Sequence, residues 1–292
     1  MMDHTGSTPI ALHAFASWQA RVDDPGLRDA WLASERAKAD SDWNSLPGRC
    51  QLCDTETGFH LAEGADRVQP NLRESLLCRR CQHNARIRAA LGLLPSPLRQ
   101  DGAAPRIYVT EQVTRTFVWM QQHLDGEVIG SEFQPDARKR QVLGARLQAM
   151  GGRGEVCFQD VTRLDFADAS LDAVVSFDVL EHVPDYRAAI LEFGRVLRAG
   201  GVCVATFPFT DGPTTVVRAR VDAQGQVEHL LEPEYHGDPI GGGVLCYYHF
   251  GWDVLDVFRS AGFDDVHMVM PWSHTYGYHY GLWTLVAKKG AA

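Results

Sequence analysis

A largely parallel α/β domain behind a small cysteine-rich module is the fold class that this sequence predicts, and three observations predict it. From residue 107 onward, short β-branched and aromatic runs alternate with amphipathic stretches, the pattern of a parallel sheet with helices on both faces. Upstream of that region stand two cysteine pairs, Cys50-x-x-Cys53 and Cys78-x-x-Cys81. Between the two regions, Pro95-Ser96-Pro97 and Asp101-Gly102-Ala103-Ala104-Pro105 form a linker that neither helix nor strand tolerates.

The elements follow in order. Residues 11–45 carry apolar positions at helical spacing (Leu12, Phe15, Trp18, Val22, Leu27, Trp31, Leu32), broken into two helices by Asp24-Pro25-Gly26. After the second cysteine pair a helix is expected over residues 82–94. Beyond the linker, strands are expected at residues 107–110, 127–130, 155–158, 171–177, 202–207, 266–270 and 282–287. Helices are expected at 116–124, 137–149, 186–197 and 252–261, the last ended by Gly262. The runs 216–221 and 227–231 flank Asp222-Ala223-Gln224-Gly225-Gln226 and read as a hairpin inserted after the fifth strand. The expected domains are a helical segment (1–46), a zinc module with its following helix (47–94), and an α/β domain (104–292) with an insertion at about 209–250.

A chain of 292 residues, 45% hydrophobic and 22% charged, is long enough for one large domain and a small one, and is not of disordered composition. No run approaches the ~18 apolar residues of a membrane helix, and residues 1–10 lack the basic start and apolar core of a signal peptide, so a cytoplasmic protein is expected. The net charge of -9 disfavours non-specific nucleic-acid binding. Arg73, Arg79, Arg80, Arg86, Arg88 and Arg99 nevertheless face only Glu74 between residues 71 and 99, and read as a solvated helix face in preference to an anion-binding patch.

Two Cys-x-x-Cys turns can set four thiolates tetrahedrally around one ion, which supplies folding energy that a short segment cannot draw from a core. A structural zinc on Cys50, Cys53, Cys78 and Cys81 is the preferred reading; reduced, structurally idle cysteines or an iron–sulfur site are the alternatives. With every ligand drawn from the chain, no coordination position is left for catalysis. Cys157, Cys203 and Cys246 read as small buried hydrophobes.

The run from Asp160 through Ser176-Phe-Asp-Val-Leu-Glu-His-Val-Pro-Asp185, Arg195-Val-Leu-Arg-Ala-Gly-Gly201 and Thr206-Phe-Pro-Phe209 resembles, as an ordered set, the core of the class I S-adenosylmethionine-dependent methyltransferases. The resemblance implies a Rossmann-like seven-stranded fold with its ligand beyond the C-terminal strand ends. It implies S-adenosyl-L-methionine as cofactor, with Glu132 on the ribose hydroxyls, Asp160 on the adenine amino group, Val161 against the base, and Phe177 and Asp178 near the transferred methyl. Glu111 matches the acid of the family's first loop. That loop departs from the family pattern: Thr110-Glu-Gln-Val-Thr-Arg-Thr116 has none of the glycines that let the backbone approach the methionine moiety. It is similar to a run in uncharacterised methyltransferase-like proteins, which implies a variant cofactor site.

Asp178-x-x-Glu181-His182 usually serves to start a helix and orient the loop. Some relatives, including ubiquinone-pathway O-methyltransferases, use such a set to hold a divalent cation on substrate hydroxyls; the structural reading is preferred here over Mg²⁺. Glu232-Pro-Glu-Tyr-His-Gly-Asp-Pro239 and Tyr247-Tyr-His-Phe-Gly-Trp252 lie in the insertion that, in this fold, covers the acceptor. Tyr235, His236, Asp238 and His249 are therefore candidates to bind the acceptor or act as base, with His249 or His236 preferred over His182. A packed aromatic lid with satisfied histidines is the competing reading. Trp272-Ser-His-Thr-Tyr-Gly-Tyr-His-Tyr280 reads as lining that pocket or forming a homodimer face. The preferred function is O-methylation of a small molecule, such as a sugar or secondary metabolite. An RNA methyltransferase with a zinc finger, and a non-catalytic protein with a degenerate cofactor site, are the alternatives.

Overall fold

The computed structural model describes residues 10–39, 41–99, 101–237, 243–279 and 281–290. Two compact units divide the chain: Met1–Leu94 with His267–Thr284, and Pro95–Val266 with Leu285–Ala292.

The first unit opens with strand β1 (Ile10–Leu12) and helices α1 (Phe15–Val22) and α2 (Pro25–Ala39). Pro25 stands at the first position of α2, where its missing N–H costs nothing, and the Asp24 carboxylate accepts from Gly26 N at 2.8 Å. The cysteine module comprises β2 (Arg49–Cys50), β3 (Thr55–Glu56), β4 (Phe59–Leu61), α3 (Leu72–Ser75), β5 (Leu76–Cys78) and α4 (Ala85–Leu91). Each Cys-x-x-Cys is followed by a residue in the left-handed region, Asp54 at φ 49° and Gln82 at φ 60°, so that both pairs close as tight knuckles. Asn84 caps α4 by accepting from Ile87 N at 2.9 Å. Cys50 and Cys78 are buried in the module core with Phe59, Leu61, Leu72, Leu76, Ala85 and Tyr278. The aromatic tail read as pocket lining or dimer face belongs to this core: Tyr278 is buried in it, Tyr276 packs against it, and Tyr280 lies outside the described residues.

The second unit alternates β6 (Arg106–Val109), α5 (Arg115–His123), β7 (Glu127–Gly130), α6 (Ala137–Ala149), β8 (Leu171–Phe177), α7 (Tyr186–Val196) and β9 (Leu197–Thr206). An insertion of six short strands follows: β10 (Val216–Val217), β11 (Ala219–Val221), β12 (Val227–His229), β13 (Tyr235–His236), β14 (Val244–Leu245) and β15 (Tyr248–His249). The chain then runs through α8 (Val254–Ser260), β16 (Phe263–Met270) and β17 (Thr284–Lys289). The sheet is seven-stranded, in the order β1-β16-β17-β9-β8-β6-β7. Strands β7, β6, β8 and β9 are parallel neighbours, whereas β17 pairs antiparallel with β9 and β1 antiparallel with β16. From β6 the chain moves first to β7 on one side and later to β8 on the other, so the topological switch lies at the C-terminal end of β6.

Besides the unexpected β1, two strands depart most from expectation. Residues 155–158 make only an isolated parallel bridge, Glu132 to Phe158. The buried Gln112 side chain takes the hydrogen bonds a ladder would use, donating to Glu155 O at 2.7 Å and accepting from Cys157 N at 3.0 Å. Cys157 is exposed there, against its reading as a buried hydrophobe. Strand β9 starts at Leu197 because an irregularity at the Gly200–Gly201 turn lets Leu197 pair with Leu171 before Val202 pairs with Ala173.

Helix α7 is capped by Asp185, whose carboxylate accepts from Ala188 N at 3.1 Å, and it buries Tyr186, Ala189, Ile190, Phe193 and Val196. Its Gly194 lies against α8: a Cβ there would stand 2.2 Å from Ala261 O. Gly194→Ala is therefore expected to destabilise the domain by about 1–3 kcal/mol through overpacking. A urea-unfolding midpoint unchanged from wild type would show that α7 and α8 can part freely.

Candidate active site

The first loop, Thr110 to Thr114, follows a defined path without glycine. Gln112 N and Val113 N donate to the Glu132 carboxylate at 3.0 and 2.6 Å, and Thr114 caps α5 by accepting from Phe117 N at 3.1 Å. A carboxylate so close to a helix start is favourably placed for the helix dipole. The missing small residue is found across the contact instead. A Cβ on Gly130, at the end of β7, would stand 2.6 Å from the Phe117 ring and 2.7 Å from Gln112 Cγ. Close packing between loop and strand is thus obtained from the strand side.

Glu132 is half-buried. Beside it the rings of Phe133 and Phe158 stand 5.7 Å apart, exposed at 71% and 39%. Asp160 closes a turn by accepting from Thr162 N at 2.9 Å and Thr162 Oγ1 at 2.7 Å, with Val161 half-buried in the same turn. Glu111 is half-buried at the head of the loop. Phe177 is buried at the end of β8. Asp178 follows at φ 54°, a left-handed conformation costing on the order of 1 kcal/mol that Asp tolerates better than most residues. It is held there by Thr206, whose Oγ1 donates to Asp178 Oδ1 at 2.8 Å and whose carbonyl accepts from Asp178 N at 2.8 Å.

That reversal turns the chain into the short 3-10 helix Leu180–His182 and buries Glu181 completely, at 0% exposure. Neither carboxylate oxygen of Glu181 accepts a hydrogen bond. His236 Nδ1 faces Oε1 at 3.6 Å and His182 Nε2 faces it at 3.8 Å. Burial pushes the Glu181 carboxyl up to about 7; His236 opposes the rise and Asp178 adds to it. His236 also contacts Glu234 Oε1 through Nε2 at 3.0 Å, and lying between two carboxylates, Glu181 foremost, raises it to about 9. Burial instead lowers His182, and its Nδ1 contacts the Leu245 carbonyl at 2.9 Å. A carbonyl can only accept, so Nδ1 carries the proton and Nε2 presents its lone pair. Glu234 further holds His249 Nε2 at 3.1 Å and Arg218 Nη2 at 3.1 Å.

The three histidines expected at the site are therefore gathered around two carboxylates, while Tyr235 is 56% exposed and Asp238 lies outside the described residues. Sequence reasoning passed over Gln112, Glu234 and the Phe133–Phe158 pair. Glu234 stands two residues from His236 in the run that was singled out, and its acid was the available signal.

In the cysteine module, Cys50 Sγ lies 3.9 Å from Cys81 Sγ and Cys53 Sγ 3.9 Å from Cys78 Sγ, and all four sulfurs fall within 4.8 Å of one another. A tetrahedron with Zn–S bonds of about 2.3 Å has an edge of about 3.8 Å. The donor set and its spacing fit a single four-coordinate ion and leave no room for a cluster with bridging sulfides.

Residues 113–205 match a family model described as a methyltransferase domain. Over that stretch the chain carries a methyltransferase domain. Among its relatives, a ubiquinone/menaquinone biosynthesis C-methyltransferase of Desulfotalea psychrophila is 28% identical over 169 residues, 53% of this chain and 63% of the relative. A ubiquinone biosynthesis O-methyltransferase of Mesorhizobium japonicum is 30% identical over 133 residues, 42% of this chain and 52% of the relative. The chain thus spans less than two thirds of the length of either curated relative. A solved S-adenosylmethionine-dependent methyltransferase from Mesorhizobium loti superposes with a TM-score of 0.48 at 18% identity, over 72% of this chain and 100% of that one. Among the described residues of this methyltransferase-domain protein, no helix is long and apolar enough to cross a membrane.

The raised proton affinity of His236 has a measurable consequence. A group held near 9 when folded and near 6.5 when unfolded contributes stability that is fully present below pH 6.5 and is lost as pH rises through 9. The stability gap between wild type and His236→Gln is expected to be widest below pH 6.5 and to narrow towards pH 9, read from urea midpoints across that range. A gap that is flat with pH would mean that His236 holds no extra proton in the folded protein.

Proposed function

We propose that the protein transfers a methyl group from S-adenosylmethionine to a hydroxyl of a small-molecule acceptor. The observation that carries this reading is the cluster formed by Glu181 and His182, on the turn directly after β8, with His236 of β13 in the insertion; β8 is the strand whose end this fold turns towards the transferred methyl. S-adenosylmethionine supplies an already activated methyl on a sulfonium. What the chain must add is an anchor for the cofactor, a position for the acceptor and a destination for its proton. Glu132 and Asp160 are the anchors on this reading, for the ribose and the adenine, with Val161, Phe133 and Phe158 offering apolar contact to the base and Glu111 and Phe177 flanking the methionine end. Asp178 holds the turn.

His182 is the base we favour, because it is neutral at pH 7 and its Nε2 lone pair is unprotonated. His236 keeps its proton to about pH 9 and is better suited to orient an oxygen than to remove a proton. Glu234 and His249 brace it. The arginines of the segment 71–99 argue against an RNA acceptor, since Arg73 and Arg86 bind Glu74, Arg79 binds the Asn44 carbonyl and Arg99 binds Asp101. A second reading is favoured by the orphaned Glu181 oxygens. Ligand atoms of Glu181, His182 and His236 lie within 4.8 Å of one another, and two imidazoles with one carboxylate suit a divalent transition metal better than Mg²⁺. In the cysteine module we propose one structural zinc, and for the chain as a whole a cytoplasmic location.

Two measurements test these readings. Titration calorimetry with S-adenosylhomocysteine should show binding to wild type and a ten- to hundred-fold loss in Glu132→Ala and Asp160→Ala, about 1.5–3 kcal/mol for a hydrogen bond to a charged acceptor. His182→Gln should bind S-adenosylhomocysteine normally yet lose roughly 10²–10⁴-fold in turnover against a panel of hydroxyl acceptors. No binding by wild type would leave a non-catalytic protein; turnover restored only by added divalent cation would favour the metal reading.

Elemental analysis of protein purified without added metal should find one zinc per chain, and Cys50→Ser should lose it. Folded wild type without zinc would return the cysteines to an idle, reduced role.

A further inference from the structure

Arg88 lies on α4 in the middle of the cysteine module and is fully buried, at 0% exposure. Its Nη1 donates to the Tyr276 carbonyl at 2.5 Å. The guanidinium carbon stands 4.2 Å from the centre of the Phe59 ring and 5.4 Å from that of Tyr278. Nε and Nη2 have no hydrogen-bond partner, and among the described residues no carboxylate pairs with this side chain. The one acid of the surrounding segment, Glu74, is taken by Arg73 and Arg86. An arginine cannot shed its proton to escape this situation. A buried, uncompensated cation costs several kcal/mol, more than two ring contacts and one neutral acceptor return.

The module's remaining acids, Asp54, Glu56, Glu63 and Asp66, are exposed, which leaves the thiols of Cys50, Cys53, Cys78 and Cys81 as the buried or half-buried groups that can become anions. Both rings that hold Arg88 also touch the knuckles. Phe59 is the register partner of Cys78 across the β4–β5 ladder. Tyr278 donates its hydroxyl to Gln51 Oε1 at 3.0 Å, inside the first Cys-x-x-Cys. Tyr278 and Phe59 share one buried cluster with Cys50 and Cys78, against which Cys53 and Cys81 pack.

We propose that Arg88 is the built-in counter-charge of the metal-thiolate centre, a positioning residue that favours the four-thiolate, zinc-loaded form of the module. The proposal rests on the zinc reading above. Four thiolates on a divalent ion leave a dianionic centre that is itself buried and in need of a cation. The Phe59 and Tyr278 faces keep the guanidinium in place without neutralising it, so its field remains available to the sulfurs. Each charge thereby removes the cost of the other.

The test uses the full chain and three forms: wild type, Arg88→Met, which keeps length and apolarity, and Arg88→Lys, which keeps charge but loses the planar fork. Zinc affinity is read by competition with a chromophoric chelator, and the thiolate set by the charge-transfer band of the cobalt-substituted protein. Arg88→Met is expected to bind zinc at least ten-fold more weakly and to release it faster, while Arg88→Lys stays within about three-fold of wild type. After zinc is stripped, Arg88→Met should be no less resistant to urea than stripped wild type, because an unpaired cation has been removed. Wild type that holds no metal overturns this proposal together with the zinc reading. Zinc-loaded wild type with an equally tight Arg88→Met overturns the counter-charge alone. So does an Arg88→Lys that is as weak as Arg88→Met, or an Arg88→Met that is destabilised equally with and without zinc; in either case Arg88 is packing only.

Discussion

Glu181 carries the constraint on which the methyltransferase domain turns. Its side chain is buried at the end of the central strand β8 with no donor on either oxygen, and its own carbonyl accepts from Tyr247 N at 2.7 Å. The insertion after β9 is thus tied to the sheet at the residue whose charge is hardest to accommodate. A carboxylate in that position must be protonated or must find a cation, because the desolvation cost of an isolated ion is several kcal/mol. His236 is the cation within reach, and it is delivered by β13 of the same insertion. Backbone and side chain cooperate: the Tyr247–Glu181 bond fixes the insertion over the turn, and the Glu181–His236 pair makes that fixture electrostatic. The differing proton affinities of His182 and His236 follow directly, since one imidazole shares the carboxylate with a second acid, Glu234, and the other is chiefly desolvated.

Much of this architecture was legible in the sequence, and the boundary of what was legible has physical reasons. Residues 127–130, 137–149 and 171–177 form the expected elements because their periodicity agrees with their burial; all seven residues of β8 are inside. The segment 155–158 has strand-like composition but loses its ladder to a side chain, Gln112, and no local pattern announces that a glutamine 45 residues away in the chain will take those bonds. Strand β1 was hidden for a related reason. Leu12 reads as the start of a helical stripe, and Ile10–Leu12 becomes a strand only because residues 268–270 offer it a free edge. At the site, the individual histidines could be nominated by type, yet their ranking as acid or base depends on which carboxylate each meets. That is tertiary information.

The glycine-free loop shows how close packing can be reached with other residues than the resemblance implies. A glycine after the first strand normally creates room for a close approach. Here Val113 is buried and Gln112 reaches across to fix residues 155–157, so the loop is filled with side chains, and the room is made by Gly130 on the neighbouring strand. Glu132 then engages the loop amides with its Oε1. On the proposed reading the carboxylate that faces the ribose is also the one that holds the first loop, so cofactor affinity and loop geometry are coupled through a single side chain.

Glu181 and Arg88 pose the same physical question in two separate units, and comparing them shows why a buried charge points to something beyond packing. Replacing an ion by an apolar side chain of similar size is often neutral or stabilising, so a bare buried charge brings the fold no stability of its own. For Glu181 the structure supplies a protonated imidazole, His236, whose own charge depends on the carboxylate. For Arg88 the rings of Phe59 and Tyr278 only moderate the cost, and the sulfurs of Cys50, Cys53, Cys78 and Cys81 are the groups that can become anions. As thiols they leave the cation uncompensated; as thiolates without an ion they would repel one another across 3.9 Å. On the proposed reading, thiolates, ion and guanidinium each offset the cost of the others, which accounts for the burial of Arg88.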